Sequence, residues 1–410
     1  MSWTLYATRG FYDRKGNFDS TQIEDGLEVG LYPAVVTLSK VSNKKAINGL
    51  CKYLKKKEIF GVPLKITSHG RGEFIDSRIP DVKDSIDLLI KLNERYGKKI
   101  IGDVDFHAGA VHTFKEEYTI RESALDKGMT YDDLDATYTA EEYYLVRESA
   151  KRKFKKIYNH AQKHGIDVSI ENVAQDNFAT RGYLPVIKKM GRELDYTIEE
   201  LNNDKRFGRT EWIPEELHMG DFGCPTDLKT FTPGGFCIDV DHLGITVNHS
   251  KKHNFEKIGR PKMDRWQEKV FNECGIFVKK GRPVLFENEI NPTELIGDLG
   301  ERIKMCHIIG YQGQGMFYWD EVNGRKLKKI ATHMPVTFEN DPNEFIENDV
   351  IRRNIGLKTR ETLAKYLSAF DKAGCRSAVT EVHLGSIYSG PKWRKYHEIS
   401  RTNIKSLLKI

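Results

Sequence analysis

The amino-acid sequence predicts a closed (β/α)8 barrel, and three observations lead there. Short β-rich runs alternate with long amphipathic stretches, the pattern that builds a parallel sheet with crossover helices. Eight such runs can be counted along the 410 residues, the number a closed barrel needs. Histidines and carboxylates recur at or just past the ends of these runs, where a barrel assembles its functional rim.

The expected strands, in chain order, are Thr4–Thr8, Ala34–Leu38, Leu64–Ser68, Ile100–Phe106, Asp167–Glu171, Phe236–Asp239, Ile303–Ile308 and Ala378–Val382. Helices are expected over Val41–Lys57, Asp81–Tyr96, Ala140–His164, Met263–Lys279 and Glu347–Ala373. Three of these carry their own stop signals: Gly97 and Gly165 each follow a basic last turn, and Gly374 follows Lys372. The chain reads as one barrel domain, 1–410, with two stretches beyond what a minimal barrel needs. One spans about 114–135, rich in Glu, Asp and Tyr, and the other about 179–235, with Gly, Pro and aromatic residues. Both follow strands and so open onto the catalytic face, as substrate cover or as surface decoration.

Composition narrows the class. With 39% hydrophobic and 30% charged residues the chain can bury a sizeable core and need not be disordered. A net charge of +6 permits an acidic partner without demanding one. The six cysteines form no CxxC pair and no disulfide framework, which fits a reducing cytosol. No secretory leader precedes the first strand and no apolar run reaches membrane-spanning length, so a cytoplasmic, unanchored protein is expected.

The candidate site residues lie at strand ends. His69 closes the third run, His107 the fourth, Glu171 the fifth, His307 the seventh and Glu381 the eighth; Asp239 ends the sixth, with His242 just beyond it. His333 follows in a loop region after the seventh run. A single histidine at a strand end is commonly structural, but imidazoles and carboxylates recurring in this position suit Zn²⁺, Mn²⁺ or Fe ions. No cysteine belongs to the set, which disfavours a structural thiolate zinc site. Asp103 and Asp105 alternate with Val104 and Phe106, and structural hydrogen bonding is expected of them.

The segments Ser68-His69, Phe106-His107-Ala108-Gly109, Ile170-Glu171-Asn172-Val173-Ala174, Asp239-Val240-Asp241-His242, Cys306-His307 and Thr380-Glu381 resemble, in order, the metal motifs of the xylose-isomerase-like barrel superfamily. Two branches of it compete. The sugar isomerase and epimerase branch implies one ion held by Glu171, Asp239, His307 and Glu381. The endonuclease IV branch implies two or three Zn²⁺ or Mn²⁺ ions, with His69, His107, His242 and His333 as additional ligands. The surplus histidines favour the second branch, whose cluster would activate a hydroxide against a phosphodiester. The resemblance thus implies a metal-dependent phosphoester hydrolase, with damaged DNA as one substrate, and Glu171 and Glu381 as its catalytic carboxylates. A sugar or sugar-phosphate isomerase or epimerase is the alternative; a non-catalytic binding protein on a decayed barrel is a third reading.

The sequence departs from the endonuclease pattern at Ala331-Thr332-His333, where a carboxylate ligand of the third ion is missing. The aromatic residue that endonuclease IV places after its first histidine is also unmatched in His69-Gly70-Arg71-Gly72-Glu73-Phe74.

Overall fold

The computed structural model describes residues 3–10, 26–30, 48–52, 54–55, 65–70, 79–107, 140–172, 229, 233–252, 277–279, 282–285, 288–310, 317–319, 327–329, 335–343, 349–382 and 391–409. Within them, eight strands form the barrel: β1 (Thr4–Gly10), β2 (Gly26–Gly30), β3 (Lys65–His69), β4 (Asp103–His107), β5 (Asp167–Glu171), β6 (Gly235–Asp239), β9 (Ile303–Ile308) and β12 (Ser377–Thr380). All neighbours pair in parallel, in the order β1-β12-β9-β6-β5-β4-β3-β2, and β1 closes on β2. The fold is the (β/α)8 barrel that the alternation predicts.

The period of two along each strand sorts side chains into two environments. Val104, Phe106, Val168, Ile170, Phe236, Ile238, Cys306, Ile308 and Ala378 join the large apolar core shared with the surrounding helices. Cys237, Met305 and Val379 form a separate small cluster inside the barrel. The residues of the same parity as this inner cluster, toward the strands' carboxyl ends, are the polar ones: Glu171, Asp239, His307 and Glu381. Alternation therefore places an apolar floor beneath a polar rim.

Helices α1 (Ile79–Tyr96), α2 (Ala140–Gln162), α3 (Val240–Lys252), α4 (Pro292–Leu299), α5 (Asp349–Lys372) and α6 (Pro391–Leu408) surround the strands. Gly97, Gly165 and Gly374 take φ of +88°, +67° and +85°. That is the left-handed stop read from the sequence, which a side chain would strain. On α4, Asn291 caps the start through a hydrogen bond from the Thr293 N–H, and Pro292 occupies the first turn, where its missing N–H costs nothing. Among the described residues, no helix is long and apolar enough to cross a membrane.

The second barrel strand differs from expectation. It is Gly26–Gly30, not the apolar run Ala34–Leu38, which lies outside the described residues. Backbone pairing to β1 and β3 defines this strand, and its five residues carry only two apolar side chains between bracketing glycines. The expected helix Met263–Lys279 also changes at its end: Phe277–Lys279 is a strand, β7, paired antiparallel with β8 (Arg282–Leu285). A second antiparallel pair, β10 (Phe317–Trp319) with β11 (Leu327–Lys329), likewise stands apart from the barrel. The stretch 114–135 and nearly all of 179–235 lie outside the described residues.

Candidate metal centre

Four strands deliver the site. Glu171 ends β5, Asp239 ends β6, His307 is the penultimate residue of β9, and Glu381 follows β12. Strand register staggers them: Asp239 is level with His307, Glu171 pairs with Cys237 two residues before Asp239, and Glu381 lies two residues beyond Val379, the partner of His307. All four side chains are buried, and one donor atom from each lies within 4.8 Å of one from every other. His307 Nδ1 is 3.2 Å from Glu171 Oε1 and 3.4 Å from Glu381 Oε2.

Each carboxylate is held by the local fold. Asp239 is the residue before α3, and its Oδ1 accepts the backbone N–H of Asp241 at 2.8 Å and of His242 at 2.9 Å. It is thus an N-cap, its charge favoured by the helix terminus, and Oδ2 is the oxygen left to face the cluster. Asn172, directly after Glu171, clasps the same place. Its Oδ1 accepts the Asp239 N–H at 2.7 Å and its Nδ2 donates to the Asp239 carbonyl at 3.1 Å. The ends of β5 and β6 are locked together by this exchange.

Beneath the quartet lies a second grouping, Asp105, Glu171, Cys237 and His307, also buried and mutually within 4.8 Å. Burial pushes the Cys237 thiol well above its ordinary pKa.

Toward solvent, two imidazoles flank Glu171. His107 Nε2 lies 3.5 Å from Glu171 Oε2, and the two residues are register partners across β4 and β5. His242 Nδ1 is 2.7 Å from the Asn172 carbonyl. A carbonyl only accepts, so Nδ1 carries the proton, and any bond from His242 to an ion or ligand falls to Nε2. The two rings are 6.4 Å apart and each is partly exposed.

The backbone of His69 pairs with Asp105 at the end of β3, and the adjacent Gly70 fits only without a side chain. A Cβ on Gly70 would meet the Phe106 ring at 2.0 Å. His333 lies outside the described residues. Of the eight residues expected as ligands, Glu171, Asp239, His307 and Glu381 converge on one point, with His107 and His242 beside it.

The donor chemistry of the quartet fits a divalent cation. Three buried carboxylates this close would place like charges in a dry interior, which is costly unless they are neutralised. Oxygen and imidazole donors without thiolate suit hard to borderline divalent ions.

The fold and this rim define a (β/α)8 barrel with a buried carboxylate and imidazole donor cluster at the carboxyl ends of its strands. No protein-family model matches the chain, and no curated protein does. Solved structures do. A xylose isomerase domain protein from Planctomyces limnophilus is similar at 10% identity, over 100% of this chain and 99% of its own, with a TM-score of 0.41. D-psicose 3-epimerase from Clostridium cellulolyticum H10 is similar at 11% identity, over 99% and 97%, with a TM-score of 0.38. The 3-keto-D-glucoside 4-epimerase from E. coli is similar at 8% identity, over 100% of each chain, with a TM-score of 0.41.

The expectation of a phosphoester hydrolase acting on DNA is corrected on two findings. The solved structures carry the names of sugar epimerases and a xylose isomerase domain, and the four donors that converge are the single-ion quartet of the isomerase alternative. Position at a strand end does not by itself distinguish an ion's ligand from a neighbour of one, and His333 and the side chain of His69 lie outside the described residues.

Proposed function

We propose that the chain is a divalent-metal-dependent sugar isomerase or epimerase, with one ion held by Glu171, Asp239, His307 and Glu381. The observation that carries the reading is the convergence of these four buried side chains, with Glu171 and Glu381 on the same nitrogen of His307 at 3.2 and 3.4 Å. A bound divalent ion supplies Lewis acidity, polarising a carbonyl and a neighbouring hydroxyl of the sugar.

The rest of the chemistry belongs to the chain. Each glutamate needs only one oxygen for the ion, so its second oxygen is available to take or return a proton. One of the pair removes the proton from the carbon next to the carbonyl, and the other returns a proton to the opposite face or to the adjacent carbon. His242, with Nδ1–H committed to the Asn172 carbonyl, offers Nε2 to a substrate hydroxyl. His107, at 3.5 Å from Glu171, is placed to hold a second hydroxyl and to keep Glu171 oriented. Zn²⁺ and Mn²⁺ both suit the donor set.

The test is proton exchange. Full-length protein loaded with Mn²⁺ is incubated in deuterated water with a panel of ketoses and ketose phosphates, and label is read by NMR. The reading expects deuterium at the carbon adjacent to the carbonyl in at least one sugar, with loss of exchange on chelation. A chain that binds the ion yet exchanges no proton across the panel overturns it.

A further inference from the structure

The groups described at the site are carboxylates, imidazoles, an amide and a thiol, with no lysine or arginine among them. A substrate with a negative group of its own would meet repulsion there unless the chain brings positive charge from elsewhere. The segment after the seventh barrel strand brings it.

That strand, β9, carries His307, and three residues further on Gly310 lies buried at its carboxyl end. A Cβ on Gly310 would meet the Pro335 carbonyl oxygen at 2.2 Å, so the departing and the returning chain touch at this point of the rim. The returning side is pinned to α6: the Val336 N–H donates to Ser400 Oγ at 2.9 Å, and Asn403 Nδ2 donates to the Val336 carbonyl at 2.9 Å. Between these two ends the chain forms the hairpin of β10 and β11. Six residue steps separate Lys329 from Pro335, which keeps that end of the ladder within about 22 Å of the rim.

The register of the ladder joins two chemistries. Phe317 is level with Lys329, Tyr318 with Lys328 and Trp319 with Leu327. One strand is a run of three aromatic residues, and the other belongs to Arg325-Lys326-Leu327-Lys328-Lys329, with four cations in five positions. Tyrosine and tryptophan combine an apolar ring with a polar atom, which suits the mixed surface of a sugar. Two ammonium groups suit the near-double charge of a phosphate monoester. The loops after the seventh and eighth strands are also where (β/α)8 barrels frequently hold a phosphate.

We propose that the hairpin of β10 and β11 selects the substrate, and that Lys328 and Lys329, set opposite Tyr318 and Phe317 in its register, receive the phosphate of a phosphorylated ketose. The proposal rests on the isomerase or epimerase reading and names its substrate class: the quartet serves the carbonyl end of the sugar and the hairpin its distal phosphate.

The experiment uses the full chain loaded with Mn²⁺ and ketoses supplied in pairs, with and without a terminal phosphate, with deuterium uptake from solvent read by NMR. In the unsubstituted chain, kcat/KM for exchange is expected to be about 10- to 100-fold higher for the phosphate ester than for its free sugar, the worth of hydrogen bonds to a charged group. Added salt should lower that ratio. In the chain carrying both Lys328→Gln and Lys329→Gln the ratio is expected to fall by a similar factor, through KM for the ester. A ratio of one or below in the unsubstituted chain, a ratio the double variant leaves untouched, or a preference for ketouronates over ketose phosphates overturns the proposal, while exchange in any ketose leaves the isomerase reading standing. Should the variant fail to fold, the ratio in the unsubstituted chain and its response to salt still decide. Absence of exchange from every sugar, free or phosphorylated, overturns the isomerase reading and the proposal together.

Discussion

Asn172 and Asp239 exchange two hydrogen bonds between the ends of neighbouring strands, side-chain amide to backbone, and both residues are fully buried. Asn172 also places its own carbonyl on His242 Nδ1. One residue thereby ties together a candidate ligand, the start of α3 and a rim imidazole. Asn172→Ala strands the Asp239 N–H and carbonyl in a dry interior. Each lost partner costs about 1–3 kcal/mol. We expect a drop in unfolding free energy of that order in denaturant titration, and a weaker divalent ion as the β5 and β6 ends part. A variant with unchanged stability and ion affinity would show that the clasp organises nothing.

Chelation should act on the fold as well as on the chemistry. Without an ion, the quartet holds three carboxylates within 4.8 Å of one another in the interior, so an ion that binds only the folded chain stabilises it. At an ion concentration a hundredfold above Kd the gain is about 2.7 kcal/mol. Calorimetry should show a lower Tm with EDTA than with Mn²⁺. Glu381→Gln should raise the Tm of the stripped protein by relieving repulsion, and should shrink the increment from Mn²⁺ at a given ion concentration. A Tm indifferent to Mn²⁺ in the unsubstituted chain would remove the ion from this site.

Tyr366, on α5, supplies a pH test away from the cluster. Burial raises its phenol to about 12, with the charge of Asp241 adding in the same direction. The unfolded phenol titrates near 10. The folded state therefore holds the proton more tightly, and this contribution is complete below pH 10 and lost as pH rises through 12. Two units correspond to at most about 3 kcal/mol. Tyr366→Phe should flatten the fall in stability between pH 10 and 12, measured against the unsubstituted chain. Parallel curves would show that the phenol is not buried in solution.

Much of this molecule can be read from its residues, and the failures have identifiable causes. Strands such as Asp167–Glu171 and Ile303–Ile308 declare themselves through β-favouring apolar residues followed by a strand-end carboxylate or imidazole. β2 does not: Gly-Leu-Glu-Val-Gly earns its place by pairing with β1 and β3, a tertiary fact that local propensity underweights. The helix after β6 is not among those expected from the sequence, although Asp239 is a capping residue type and Val240, Leu243 and Val247 follow at helical spacing. The four converging ligands were all legible as strand-end residues. Asp105 is visible as the alternate partner of Val104 and Phe106, but its approach to His307 depends on barrel closure bringing β4 to face β9, and no local pattern encodes that. Cys237 was passed over for the same reason, although it shares its parity with Asp239.

The two glutamates offer the sharpest test of the proposed chemistry, because the proposal makes them ligands of one ion and acid–base groups at once. Glu171 has His107 and His242 near it, at 3.5 and 3.8 Å, as well as His307, whereas Glu381 lies 3.4 Å from His307. The two carboxylates therefore meet the substrate in different surroundings and should not be interchangeable. Either substitution to Gln is expected to lower turnover by about 10²- to 10⁴-fold, the range of a lost general acid or base. If they serve opposite half-reactions, Glu171→Gln and Glu381→Gln should differ in solvent exchange. One should still wash deuterium into the substrate without forming product, because it retains the base that removes the proton, and the other should do neither. Assays in excess Mn²⁺ separate this from weakened ion binding. Variants that lose exchange and turnover in parallel, at saturating ion, would assign both steps to a single carboxylate.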